Sequence, residues 1–301
     1  MSPFAGPVAS SNTRQNPNSD GGSGPSLPMK DLRPPGRSLP APAAPTPEQL
    51  SDRDHQILNV VARFRVMSGA MLRDLFWPQG SPETRARLAR RGLARLAKLE
   101  VLSPLARRVG GVRAGSAGLS FALGPNGQRL LAAGSPARRV RRPSTPGERH
   151  LAHTLAVAQL YVDLTVLERS RRAELLAFDP EPECWVPYPG PYGARQILKP
   201  DAYLKLGTPE YEFSWFIEQD MATEAPVTIF SKARRYLDCW RTGTLQSERG
   251  VFPRTAWIAP DSARAESIGE ALGRLPAEAG KLFVVTTTAE AAALLTAEAH
   301  S

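Results

Sequence analysis

At 301 residues the chain is long enough for two ordinary domains with cores of their own. Its 38 Lys and Arg against 29 Asp and Glu leave a net charge of +9 at pH 7, so a partner of opposite sign is expected. No apolar run is long enough to cross a bilayer, no signal peptide with an apolar centre stands near Met1, and two cysteines, Cys184 and Cys239, cannot build a disulfide framework; a cytoplasmic protein is expected.

The charge is partitioned. Residues 1–48 carry a net of only +1 and hold 11 of the 29 prolines; such a segment cannot bury enough apolar surface to offset its ordering entropy and reads as a disordered tail. Residues 49–147 carry 18 basic and 5 acidic side chains, and residues 148–301 carry 16 and 21. A basic block beside an acidic one is the footprint of a polyanion-binding module, with nucleic acid favoured over a membrane surface.

The elements of residues 49–134 follow in chain order. Ser51 caps a first helix with Asp54 at the reciprocal capping-box position, and Ile57, Leu58 and Val61 form its apolar stripe. Ser68 caps a short second helix, Gly69–Trp77. Ser81 and Pro82 open a third that runs to about Leu99. Val101–Leu105 and Leu119–Leu123 flank a Gly- and Arg-rich loop, which is a hairpin signal, and a helix near Asn126–Ala133 closes the unit. Three helices followed by a hairpin is the order of a winged helix-turn-helix, whose third helix enters the major groove of double-stranded DNA. On that helix Leu88, Gly92, Leu93, Leu96 and Leu99 fall on one side, while Arg87, Arg90, Arg91 and Lys98 fall on the other. Thr84 sits at the helix start, where side chains approach bases, and the wing adds Arg107, Arg108 and Arg113. Arginine reads phosphates and bases alike, so no sequence specificity follows.

Residues 135–147, with Arg138, Arg139, Arg141 and Arg142 among prolines, read as a basic linker. Helix and strand then alternate over 148–301: a helix at Glu148–Leu167, strands at Ala202–Leu206 and Tyr211–Ile217, and a helix over Pro226–Trp240. A strand at Thr255–Ala259, a helix around Ala263–Leu275, a strand at Leu282–Thr287 and a short terminal helix complete a mixed-sheet α/β domain.

In this half the informative progression is Pro200-Asp201, then Glu218-Gln219-Asp220, Thr223-Glu224, Lys232 and Tyr236. Asp201 begins one strand and Glu218 and Asp220 end the next, so a hairpin would bring the three carboxylates to one sheet edge. Such oxygen ligands suit Mg²⁺ or Mn²⁺, which orients a water and neutralises phosphate charge. Lys232, on the following helix, is near enough to add positive charge there. Taken singly, each of these residues is ordinary for a strand end or a helix surface; their joint order is what suggests a site. His150 and His153 stand at i, i+3 but lack the companion Cys or His of a zinc set. Trp185, Tyr188 and Tyr192, among prolines, read as a packed loop rather than a base-stacking platform. No phosphate-cradling GxxxxGK[ST] loop is present, so no nucleotide cofactor is expected.

As an ordered set over about residues 50–295, these motifs resemble the replication-relaxation family of bacterial, often plasmid-associated, proteins. The resemblance implies a winged helix joined to a PD-(D/E)XK nuclease-like domain, in which Asp201 and Glu218 would hold the metal. Asp220 stands where that nuclease pattern has lysine. Lys232 is then either a migrated replacement, or the site is a non-cleaving remnant. The expected function is DNA binding in plasmid or mobile-element replication, with a Mg²⁺-dependent nuclease and a non-catalytic regulator as alternatives. A second copy of the chain, or a replication or mobilisation protein, is the expected protein partner.

Overall fold

A computed structural model describes residues 49–105, 119–133, 147–170, 173–208 and 211–297. The proline-rich tail, Arg107, Arg108 and Arg113, and nearly all of the basic linker therefore lie outside the described residues. No helix among the described residues is long and apolar enough to cross a membrane.

The first segment comprises α1 (Asp52–Phe64), β1 (Val66–Ser68), α2 (Gly69–Phe76), α3 (Pro82–Lys98), β2 (Leu102–Pro104), β3 (Ser120–Leu123) and α4 (Pro125–Ala133). The helix starts are chemically specified. Ser51 Oγ accepts the Asp54 N–H while Asp54 Oδ2 accepts the Ser51 N–H, satisfying two donors that α1 would otherwise leave orphaned. Ser68 caps α2 with Met71 Sδ as the reciprocal acceptor, and Ser81 Oγ accepts the Thr84 N–H at the start of α3 without a reciprocal bond. The two hairpin strands pair antiparallel, Leu102 opposite Leu123. A third strand, β1, too short to carry a sequence signal, adds to β3 to make a sheet of order β1-β3-β2.

On α3 the buried side is slightly rotated from the expected one. Ala89, Leu93 and Leu96 are buried, whereas Leu88 is 40% exposed. Gly92 lies against the Trp77 indole, where a Cβ would sit 2.7 Å from the ring, so α3 approaches the end of α2 closely at this point.

The second segment comprises α5 (Glu148–Glu168), β4 (Glu174–Pro180), β5 (Val186–Pro189), β6 (Arg195–Leu198), β7 (Ala202–Gly207), β8 (Glu212–Gln219), α6 (Pro226–Arg241), α7 (Thr244–Arg249), β9 (Arg254–Ala259), α8 (Ser262–Leu272), β10 (Phe283–Thr287) and α9 (Ala291–Ala297). Its sheet has the order β10-β9-β8-β7-β4; β8, β9 and β10 are parallel, and β7 and β4 are antiparallel to their neighbours. This is a mixed α/β layout. Parallel pairing requires the crossover helices α6 and α8, which pack on each other and leave α5 for the opposite face. Strand alternation separates the faces: Trp215 and Ile217 join the cluster that holds α5 residues Val157 and Leu160, while Phe216 joins that of Tyr236.

One apolar cluster runs from Leu58, Leu72 and Leu96 of the basic segment to Leu204, Ile217 and Ile258 of the sheet. Phe64, Tyr161 and Phe178 stack within it at centroid distances of 4.8–5.7 Å. Arg169 donates to the carbonyls of Asp74 and Leu75, both at 2.7 Å, so the end of α5 also ties down the end of α2. The basic and acidic segments thus share a core.

Candidate functional site

Two charged features stand out, and the first is the outer face of α3. Arg87, Arg90, Arg91 and Lys98 are exposed and none has an ion pair among the described residues; Arg90 only donates to the Ala86 carbonyl, at 3.2 Å. The other two arginines of the helix are spent inward. Arg85 binds Asp74 at 2.7 Å and the Trp77 carbonyl at 2.8 Å, and Arg95 reaches Asp54 at 2.5 Å. Carboxylates on α1 and α2 therefore take the arginines that face the bundle, leaving the outward row with only Glu83, at its N-terminal end and in no ion pair among the described residues, to offset it. Thr84 is half-buried at the Ser81 cap, its hydroxyl 3.3 Å from Ser81 Oγ.

The second feature is a cleft of about 150 Å³ at the end of β7 and β8. Ala202 pairs with Ile217, so Asp201 stands opposite Glu218 one step further along, and its N–H donates to the Ile217 carbonyl at 2.9 Å. The Asp201 carboxylate is then held from two sides, by the Gln219 N–H at 2.7 Å and by His153 Nε2 at 3.1 Å. His153 comes from α5. Spacing alone did not mark it, because its partner lies 48 positions away.

Glu218 is 1% exposed. Its Oε1 accepts the Tyr236 hydroxyl at 2.5 Å, and Lys232 Nζ lies 2.6 Å from Oε2 as an ion pair rather than a well-directed hydrogen bond. Lys232 and Tyr236 are one turn apart on α6, which puts both on the face toward Glu218. Burial, and then the Asp201 charge, push the Glu218 carboxyl up to about 7 despite the ammonium beside it. Burial opposes the charged form of Lys232, but Glu218 and Asp201 outweigh it and hold the ammonium above its usual range. The hydrogen bond to Asp201 raises His153 against its own burial. Burial and the Glu218 charge raise the Tyr236 phenol well above its usual value, so it acts as a donor.

Asp220 lines the same cleft but its oxygens are taken. Arg264 at the start of α8 grips it with two bonds of 2.7 and 2.8 Å, and the Ala222 N–H adds a third at 2.7 Å. Arg264 also donates to the Glu224 carbonyl at 2.7 Å. Asp220 thus anchors the 220–224 loop, in which Ala222 adopts a φ of 55°. Among the described residues no three His, Cys, Asp or Glu side chains are gathered as a ready metal set. Asp201 and Glu218 face the cleft, and Glu224 at its rim lies 3.7 Å from Lys232 Nζ.

A family model described as replication-relaxation matches residues 58–255. The chain belongs to the replication-relaxation family. Membership ties it to replication-related DNA processes, and the matched span takes in both α3 and the cleft residues Asp201, Glu218 and Lys232. It stops short of Arg264, the residue that engages Asp220. Comparison with curated proteins gives no match, and comparison with solved structures gives none.

Proposed function

We propose that this replication-relaxation protein docks on double-stranded DNA through α3 of a winged helix, and that its α/β half carries a nuclease-like site built on Asp201, Glu218 and Lys232. The observation that carries the reading is the meeting of these three side chains in one cleft, with Lys232 2.6 Å from Glu218. An ammonium on α6 supplies the positive charge that Asp220 cannot, and this favours Lys232 as a migrated lysine. The outward row of α3 supplies the duplex contact, β2 and β3 form the base of the wing, and the plasmid or mobile-element setting is part of the same proposal.

The residues present fit a hard divalent cation. The Asp201 charge raises the cost of ionising Glu218, and a dication relieves that repulsion. Asp201 and Glu218 would hold Mg²⁺ or Mn²⁺, which when bound polarises a phosphoryl oxygen and sharpens a water as nucleophile. Lys232 sets its ammonium beside the scissile phosphate, the His153 and Gln219 contacts fix the Asp201 carboxylate, and Tyr236 fixes Glu218.

The test is a binding and cleavage pair on supercoiled plasmid. Wild type should bind, and should nick or cut only with millimolar Mg²⁺ or Mn²⁺; Asp201→Asn and Lys232→Met should bind equally and not cut. Binding without cleavage under every metal condition would leave a non-catalytic regulator. No binding at low salt would end the DNA reading.

A further inference from the structure

A groove of about 660 Å³ lies between the β5–β6 hairpin and the outer face of α6 and shares no lining residue with the acidic cleft. Tyr188 and Gln196, paired across the hairpin, line one wall; Arg234, Arg235, Asp238 and Arg241 line the other. Burial of Ala233, Tyr236 and Leu237 on α6 turns Arg234 and Arg235 outward. Asp238 is matched within the groove by Arg241, 3.8 Å away, and Arg241 also binds Glu278. Arg234 and Arg235 have neither an ion pair nor a hydrogen bond among the described residues, so the groove presents two free cations.

The hairpin contributes a flat ring. Tyr188 is buried against α6, but Tyr192, at the hairpin tip next to Pro191 of the groove lining and itself outside that lining, is fully exposed and belongs to no apolar cluster. Its φ of 56° is one that tyrosine rarely adopts; Pro189 and Pro191 fix the backbone before it, and Gly190 and Gly193 allow the tight turn around it. An exposed ring with no packed neighbour leaves its face open for a second ring to stack on. The packed-loop expectation thus describes Tyr188 and does not describe Tyr192.

We propose that this groove and the hairpin tip beside it bind an unpaired nucleic-acid strand, with phosphates in the groove on Arg234 and Arg235 and a base stacked on Tyr192 at the tip. A duplex covers both faces of each base with its neighbours, whereas an unpaired base offers a face, and every base has one. An acidic peptide would satisfy the arginines but leave the ring unused. The volume suits one or two nucleotides, on the order of an ordinary small-ligand pocket. Arg235 follows Lys232 by three residues, about 5 Å along the α6 axis, so a strand held here runs beside the acidic cleft. The proposal shares with the preceding reading only the premise that the chain works on nucleic acid.

The experiment is fluorescence anisotropy with the full chain, using a labelled thymidine oligonucleotide, its uridine counterpart and a duplex of equal length. Tyr192→Ala should weaken single-strand binding about tenfold, with Tyr192→Phe restoring it. Arg234→Ala/Arg235→Ala should do the same and lower the salt slope by about 1.4, because each single-strand phosphate contact accounts for about 0.7. Duplex affinity should not move in either variant, while Arg87→Ala/Arg91→Ala should weaken the duplex arm alone. Loss of the duplex arm in wild type would sink the α3 reading and leave this one standing. Unchanged single-strand affinity in the groove variants, equal losses on both ligands, or competition by polyglutamate as strong as by the oligonucleotide would overturn it. Preference for uridine or thymidine identifies the strand as RNA or DNA, and either supports the groove.

Discussion

Lys232 reaches from the second turn of α6 to within 2.6 Å of Glu218, a carboxylate that is only 1% exposed. An ion pair this deep is weak evidence for stability in itself, because desolvating two charges offsets most of their attraction. Removing one partner is another matter. At pH 8, where wild-type Glu218 is ionised, Lys232→Met should leave the buried carboxyl without its counter-charge and cost up to about 3–5 kcal/mol in urea denaturation, less at lower pH where the group protonates. Adding Glu218→Gln to that variant should recover most of the loss. A double variant as unstable as the sum of the singles would show that the two side chains do not act as a pair.

The same pair sets a pH dependence. Glu218 titrates at about 7 in the fold, above its ordinary value of 4.5, so the fold favours its protonated form. The stability this contributes is fully present below pH 4.5 and is lost as pH rises through 7. His153 is raised too, so its contribution is present below its ordinary 6.5 and fades at higher pH, in the same direction. Between pH 5 and 8, Glu218→Gln should therefore lose less stability than wild type as pH rises. Mg²⁺ should act oppositely, raising Tm more at pH 8 than at pH 6, since a cation binds the ionised form. A pH slope identical in wild type and Glu218→Gln would remove the titration from this residue.

Asp220 and Arg264 form the second buried pair, with carboxylate and guanidinium side chains 1% and 14% exposed. Either Asp220→Asn or Arg264→Met should cost about 3 kcal/mol by leaving the other group unmatched. The two roles open to Asp220 diverge in the metal response. If it anchors the loop, Asp220→Asn keeps the Mg²⁺-dependent rise in Tm and Asp201→Asn loses it. Loss of that rise in Asp220→Asn, with the fold intact by circular dichroism, would make Asp220 a ligand.

Four cations on the outer face of α3 make a quantitative claim about salt. Each duplex phosphate contact contributes about 0.9 to the slope of log affinity against log salt. Arg87→Ala/Arg91→Ala should lower that slope by about 2 and weaken binding to unrelated sequences alike. Arg85→Ala should instead lower stability, because Arg85 bonds Asp74 and the Trp77 carbonyl. An unchanged slope in the double variant would move the duplex interface elsewhere.

What the sequence made legible was local. Ser51, Ser68 and Ser81 act within one turn of themselves, so capping and periodicity located α1, α2 and α3 to within a residue or two. The Asp201–Glu218 meeting was legible because β7 and β8 are sequential antiparallel strands, whose register a short connection fixes. The β5–β6 hairpin was hidden by Pro187 and Pro189, which read as loop and are tolerated because each strand has only one partner. β4 was missed because its one partner, β7, lies beyond that hairpin. His153 with Asp201 and Arg264 with Asp220 are separated by 48 and 44 positions, and nothing in local spacing reports such pairs.

Gly92 offers a test in which two rules give opposite signs. At an exposed helix-interior position, Gly→Ala is stabilising by about 1 kcal/mol, because alanine has less backbone freedom to lose. On α3, however, a Cβ at Gly92 would lie 2.7 Å from the Trp77 ring, and Trp77 is itself buried beneath Arg53, whose guanidinium is 5.5 Å from the ring centroid. The indole is rigid and cannot swing aside as a flexible chain end would. Overpacking of this kind costs about 1–3 kcal/mol, enough to cancel or reverse the propensity gain. Gly92→Ala should therefore lower Tm, and Gly92→Ala/Trp77→Leu should be less destabilised than the sum of the two changes. Duplex binding should weaken as well, since pushing α3 off Trp77 tilts the row that carries Arg87, Arg91 and Lys98. A Gly92→Ala protein with raised Tm and unaltered affinity would mean that α3 does not rest on Trp77.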